Sequence, residues 1–573
     1  MDAVRRLAEL RRRRTAPLLL ELDLTQPMLE ERPTGPLARL QSRRRAVLPD
    51  VLQALTDAAT DPRVGGLIAK IGARRTGFAQ TQDLRGAIAA LRAAGKPTVA
   101  WSETFGELAV ATVPYYLAAA FDEIWLQPSG ELGLVGVSAG SLFLAEALDR
   151  LGVRRQIGAR HEYKNAANIF LERSFTDPQR EATGRIVNSL FEQVVDGVVD
   201  GRRLGHDVVR GLVDRAPLDA HEAHEAKLVD HLGYRDEVYD NTLRKAGPDA
   251  QLLFVHRYRR QQPLPKRLGR MVSRKRDVVA LVTGTGTIRL GRSAHGPMVA
   301  SGMGSDTVSA ALRAAGKDDR VKAVVFRVNS PGGSYVASDV IWREVRRLKE
   351  AGKPVVVSMG DVAGSGGYFV SVPANVIVAQ PGTLTGSIGV LGGKLSFGDL
   401  LSQLGIRHDE VSDGRHARMM TVLDGYTDEE YQQLSSWLDR IYDDFVGKVA
   451  AGRSMTVEAV HEVARGRVWT GADALERGLV DELGDVKHAA AVARRRAGLP
   501  ADAELVRYPP TPLAPRLRPP RSSEDPLAAT AALDPWGPLT ALAARLGLPS
   551  AGPLVMPPVT ASGVQAFPSA PWV

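Results

Sequence analysis

Cysteine is absent from the chain, which excludes disulfides, thiolate metal sites and a cysteine nucleophile, and fits a reducing compartment. Long apolar runs are absent too. The longest, "LAVATVPYYLAAAF" from Leu108 to Phe121, has 14 residues and contains Pro114, so it suits a buried helix rather than a membrane span. The N-terminal stretch "MDAVRRLAELRRRRTAPLLLELDL" has neither the long apolar core nor the small-residue cleavage site of a secretory leader. Stacking aromatics are not interleaved with the basic residues and no nucleic-acid-binding fold is legible, so no nucleic-acid partner is expected.

What is present is an ordinary globular composition, 44% hydrophobic and 24% charged over 573 residues, long enough for two to four domains. The net charge of +9 is unevenly placed. "HRYRRQQPLPKRLGRMVSRKR", residues 256–276, carries nine Lys/Arg and no acid and reads as a basic linker. Arg5, Arg6 and Arg11 to Arg14 read either as a solvated basic helix or as a contact with an anionic lipid surface. From Tyr508 onward the chain is Pro/Ala-rich and reads as a disordered tail, with one short helix at Pro538 to Leu546.

The chain also contains itself twice. "DPRVGGLIAKI" at 61 pairs with "DDRVKAVVFRV" at 318, and "AGKPTVA" at 94 with "AGKPVVV" at 351. "IWLQPSGELGLVGV" at 124 pairs with "IVAQPGTLTGSIGV" at 377, and "KLVDHLG" at 227 with "GLVDELG" at 478. Four blocks in one order, about 250 residues apart, mean a duplicated domain. Each copy alternates apolar strands with helical segments: "KAVVFRV" and "PVVVSMG" as strands, "SDVIWREVRRLKEAG" and "GGYFVSVPAN" as helices. The fold class is α/β, with parallel sheet buried between helices. The expected division is residues 1–255, the linker 256–276, residues 277–507, and the tail 508–573.

In such sheets chemistry gathers beyond the carboxyl ends of strands. Two motifs of the second copy sit there, "NSPGGS" at 329 and "GDVAGSGG" at 360. A serine hydroxyl becomes a nucleophile only when exposed, oriented and deprotonated. Ser365, set among Gly364, Gly366 and Gly367, has the surroundings of a nucleophile on a tight strand-to-helix turn. Gly332 and Gly333 are placed to offer backbone N–H groups to a developing oxyanion. None of the 11 histidines falls in a Ser/His/Asp pattern, and "HEAHE" at 221 lacks the spacing of a zinc motif, so no metal or cofactor is expected. A lysine neutralised by burial is the remaining base. Lys164 of "EYKNAA" is one candidate among several lysines by spacing alone. The repeat distinguishes it. Ser365 aligns with Thr112, Gly332-Gly333 with Arg75-Thr76, and Lys164 with a stretch, Arg415 to Ala417, that has no lysine. Each copy holds half a site, as expected for one site shared between domains.

These motifs, with "TLTGSIGV" and "GLVDELG", occur in an order that resembles the long, two-domain form of the signal peptide peptidase A family of serine peptidases, over roughly residues 15–505. The resemblance implies tandem ClpP/crotonase-like domains and a homo-oligomer, a tetramer, that shields its sites in a bowl. It implies Ser365 as nucleophile and Lys164 as general base, with Ser387 hydrogen-bonded to the lysine. Gly332, Gly333 and Gly366 would lie at the oxyanion and substrate-binding site. Signal-peptide remnants and other unfolded or apolar peptides would be the substrates, with no metal or nucleotide. Long members from Gram-negative bacteria begin with a membrane anchor that is not visible here, so the expected location is cytoplasmic or peripheral on the inner face of the cell membrane.

Two other classes compete. A crotonase-like acyl-CoA enzyme would share the fold, but CoA chemistry on it requires neither the serine nor the lysine. A non-catalytic scaffold at a membrane would use the basic segments and leave Ser365 dispensable.

Overall fold

Apolar strands alternating with amphipathic helices build two parallel sheets of one design. The computed structural model describes residues 16–25, 28–30, 46–72, 76–107, 109–258, 276–296 and 299–509. The arginines at 5–14, most of the basic linker (259–275) and the tail beyond 509 lie outside the described residues.

The first sheet runs, edge to edge, through His231–Leu232, Glu123–Leu126, Thr98–Ser102, Val64–Lys70, Leu18–Asp23 and Gln251–Phe254, every neighbouring pair parallel. The second repeats that order with Glu482–Leu483, Val376–Ala379, Val355–Gly364, Val321–Ser330, Val278–Thr285 and Leu505–Arg507. It adds Leu384–Gly386, parallel to the end of Val355–Gly364, and Val468–Thr470, antiparallel to that. The helix expected over 338–352 spans Tyr335–Glu350. The one expected from Gly366 is a single turn, Gly366–Phe369, because Pro373 follows too soon for a longer helix. The apolar run at Leu108 supplies the buried helix Thr112–Ala118.

The duplication extends to the polar contacts that pin the elements. Tyr115 Oη donates to Leu228 O at 2.6 Å, and Tyr368 Oη to Leu479 O at 2.9 Å. Arg202 grips both oxygens of Asp230, and Arg453 those of Asp481. Two 26-residue helices, Asp177–Arg202 and Asp428–Arg453, start at threonine N-caps, Thr176 and Thr427. A threonine cap bonds otherwise orphaned helix amides, so these marks of common ancestry are also structural necessities.

The strands alternate faces. Leu19, Ile68, Val99 and Trp101 pack under the helix Arg235–Ala246, whereas Leu18, Leu20 and Leu67 face the other way. In the second sheet Val279, Leu281, Val325 and Val356 join the helix Val486–Arg496 in the same apolar cluster as that second face. The two halves therefore share a core. A buried polar seam supplements it: Arg327 Nη2 donates to Asp83 Oδ2 at 2.9 Å, and Gln380 Nε2 to Asp83 Oδ1 at 2.7 Å. Asp83 is fully buried, and that desolvation pushes its carboxyl up to about 6 against the pull of Arg327. The seam matters because it fixes each half relative to the other.

Candidate active site

The strand Val355–Gly364 ends at Ser365, and its parallel partner Leu384–Gly386 ends at Ser387, with Gly364 opposite Gly386. Register alone therefore sets the two serines side by side. The lysine arrives by a different route. Strand Arg154–Arg160 of the first copy pairs antiparallel with Val390–Ser396 of the second, Arg160 opposite Val390. The chain leaving that ribbon after Arg160 lies beside the chain entering it before Val390. Lys164 and Ser387 consequently meet. Ile157, Ala167 and Phe170 of the lysine segment pack in a small apolar cluster with Leu395 of the second copy.

Lys164 Nζ lies 3.1 Å from Ser365 Oγ and 2.9 Å from both Ser387 Oγ and Ser387 O. The side chain is only 7% exposed, and burial pushes the ammonium down to about 7. A neutral amine so placed donates its two hydrogens to the Ser387 oxygens and presents its lone pair to the Ser365 hydroxyl.

Ser365 has φ 53° and ψ −119°, left-handed for a non-glycine residue, and caps the helical turn Gly366–Phe369. Such a conformation costs on the order of 1–3 kcal/mol and persists where surrounding structure enforces it. Here Ser365 N–H donates to Gly386 O at 2.9 Å, and the turn projects Oγ toward Lys164. The corresponding helix of the first copy starts after Ala111, with φ −126°, and the Thr112 hydroxyl donates to Gly136 O at 2.7 Å. That position is structural.

The glycine pair lies against the serine. A Cβ on Gly332 would come 2.7 Å from Gly366 N and 2.8 Å from Ser365 Cβ. One on Gly333 would collide with the backbone of Ile288, which brackets the loop through Ile288 N–H to Gly332 O and Ser334 N–H to Ile288 O. The Gly332 N–H itself donates to Ser330 Oγ at 3.1 Å. Among the described residues the amides of Gly333 and Gly366 have no acceptor, and a Cβ on Gly366 would sit 3.3 Å from Gly333 N. The loop carrying the Gly333 amide is thus packed against Ser365 and the Gly366 amide that follows it. Ser330 and its bond to the loop were not legible beforehand; a serine at a strand end has no distinctive signal.

His221 and His224 are exposed on the short helix Ala220–Glu225. Among the described residues no group of histidines and acids is arranged to hold a metal.

Comparison with known proteins identifies the family. The serine protease SPPA, chloroplastic, of Arabidopsis thaliana is 30% identical over 464 residues, covering 80% of this chain and 67% of that protein. Protease 4 of Salmonella typhi is 33% identical over 463 residues, 78% of this chain and 72% of that one. Protease 4 of Haemophilus influenzae is 32% identical over 77% of this chain and 71% of its own. Among solved structures, the ClpP1 N165D mutant from Listeria monocytogenes aligns with 39% of this chain and 99% of its own, at 14% identity and a TM-score of 0.25. The profile of Peptidase family S49 matches residues 90–247 and 347–500, once in each repeat and together more than half of the chain, so the chain belongs to Peptidase family S49.

Proposed function

We propose that this serine peptidase hydrolyses peptides with a Ser365/Lys164 dyad, each residue drawn from a different half of the chain. The observation that carries the reading is a buried amine 3.1 Å from a hydroxyl on a strained turn. Lys164 takes the proton as Ser365 Oγ attacks the scissile carbonyl, and passes it to the leaving amine. The amides of Gly333 and Gly366 stabilise the oxyanion, and Gly332 allows the loop to approach Ser365. Ser387 orients the lysine. Water, deprotonated by the same amine, then releases the acyl group.

The substrates are signal-peptide remnants and other unfolded or apolar peptides. The chain works as a homo-oligomer, a tetramer, in the cytoplasm or against the inner face of the cell membrane. Exposed Leu142, Leu404, Ile406 and Val411 give it apolar surface for contacts between copies. No helix of the described residues is long and apolar enough to cross a membrane. The test is digestion of an unfolded apolar protein by wild type and Ser365→Ala, with light scattering for mass. Equal digestion by both would overturn the reading.

A further inference from the structure

One short segment touches both halves of the site. Arg465-Gly466-Arg467 precedes the strand Val468–Thr470 of the second copy. Arg465 O accepts the N–H of Tyr163 at 3.2 Å and that of His161 at 3.4 Å, both from the lysine segment of the first copy. Gly466 N–H donates to Ile388 O, and Ser387 N–H donates to Arg467 O, each at 2.7 Å. Three consecutive residues thus bond the backbone leading into Lys164 and the backbone of the serine that holds its amine.

Between those bonds the chains touch. Gly466 has φ 88°, and a Cβ there would lie 2.5 Å from Lys164 N and Cβ. On its other side, a Cβ on Gly389 would lie 2.8 Å from Gly466 Cα. The flanking arginines close the arrangement over Tyr163, the residue before the lysine. Arg467 lies 4.9 Å and Arg465 5.8 Å from its ring centre. Each also pairs with a carboxylate of the first copy, Arg465 with Glu162 at 3.1 Å and Arg467 with Glu181 at 2.5 Å. At the repeat offset of 251 the first copy has Asp214-Arg215-Ala216, with arginine where the glycine stands, and it has no lysine to receive.

We infer that Arg465-Gly466-Arg467 is a positioning clamp that fixes the distance and dryness of Lys164 against Ser365 across the joint between the two halves. Gly466 sets the approach, since no side chain fits there. The arginines hold the Tyr163–Lys164 backbone on it by stacking and pairing. This inference rests on Lys164 being the base.

The experiment is the pH profile of kcat/KM for a fluorogenic apolar peptide. Gly466→Ala should move the lysine by a fraction of an ångström to an ångström and let water reach it. The expected result is a loss of about 100-fold, carried by kcat with KM little changed, and an acid limb moved up by about one pH unit toward an ordinary lysine. Arg467→Ala, which introduces no clash, should move kcat and the acid limb in the same direction by less, and it carries the test if Gly466→Ala does not fold. A wild-type profile in both variants, or a lower rate with an unmoved acid limb, would overturn the clamp. Lys164→Ala in the same assay separates the two ideas: an active Lys164→Ala refutes the base, whereas an inactive one beside an unaffected Gly466→Ala refutes only the clamp.

Discussion

Replacing Lys164 by methionine should destroy activity and yet stabilise the protein near neutral pH. In the folded chain the amine is pushed down to about 7 from an ordinary value of 10.5, so between those values the unfolded chain binds the proton that the folded chain has released. Wild-type stability therefore rises with pH across that window. At about 1.4 kcal/mol per pH unit of displacement, burying this lysine costs about 4 kcal/mol at pH 7 and about 1 kcal/mol at pH 10. Methionine carries no such cost but leaves the Ser387 oxygens without their donor and the Ser365 hydroxyl without its acceptor, a pH-independent loss of about 1–2 kcal/mol. The net gain is about 2–3 kcal/mol at pH 7, shrinking to nothing or below by pH 10. Urea unfolding of wild type and Lys164→Met at pH 6, 7, 8, 9 and 10 reads the difference directly. A difference that stays constant from pH 7 to 10, or a variant less stable throughout, would refute a neutral buried lysine.

Ser365→Ala and Lys164→Ala should each abolish hydrolysis, and the double variant should be no worse than either, since the two act as a unit. Wild-type kcat/KM should climb as pH rises through about 7, where the amine loses its proton, and hold on the alkaline side; a rate already flat from pH 5 upward would contradict this. Gly333→Ala should cut kcat by about 100-fold or more, because its Cβ would displace the Ile288 bracket. Arg327→Ala leaves Asp83 buried without its cation and should destabilise the chain by about 3–5 kcal/mol, measured as a lowered urea midpoint.

The duplication and the strand–helix alternation were legible because sequence repeats and apolar periodicity survive without any knowledge of packing. Ser365 and the glycine pair stand out only together: a Gly-Ser-Gly-Gly turn or a Pro-Gly turn alone reads as an ordinary loop, and it is the two at successive strand ends that point to a site. Lys164 emerged only by comparing the copies, since nothing local marks a lysine that will be buried by another domain. The partition of the amides was beyond the sequence. Gly332 and Gly333 look alike, and only the fold shows that the first amide is taken by the Ser330 hydroxyl while the second has no acceptor among the described residues. The clamp was missed because "RGR" is unremarkable until the ribbon Arg154–Arg160/Val390–Ser396 carries Lys164 onto it. The antiparallel pairing of strands more than 200 residues apart has no local signature.

In the proposed mechanism one half of the chain activates the serine of the other. Labelling by a fluorophosphonate probe, with the modified residue located by mass spectrometry, tests it most directly. Wild type should take one label per chain, on Ser365, at a rate that rises through pH 7, and Lys164→Ala, folded by circular dichroism, should label at least 100-fold more slowly. Labelling of Lys164→Ala at the wild-type rate, or a label on any residue other than Ser365, would contradict the account.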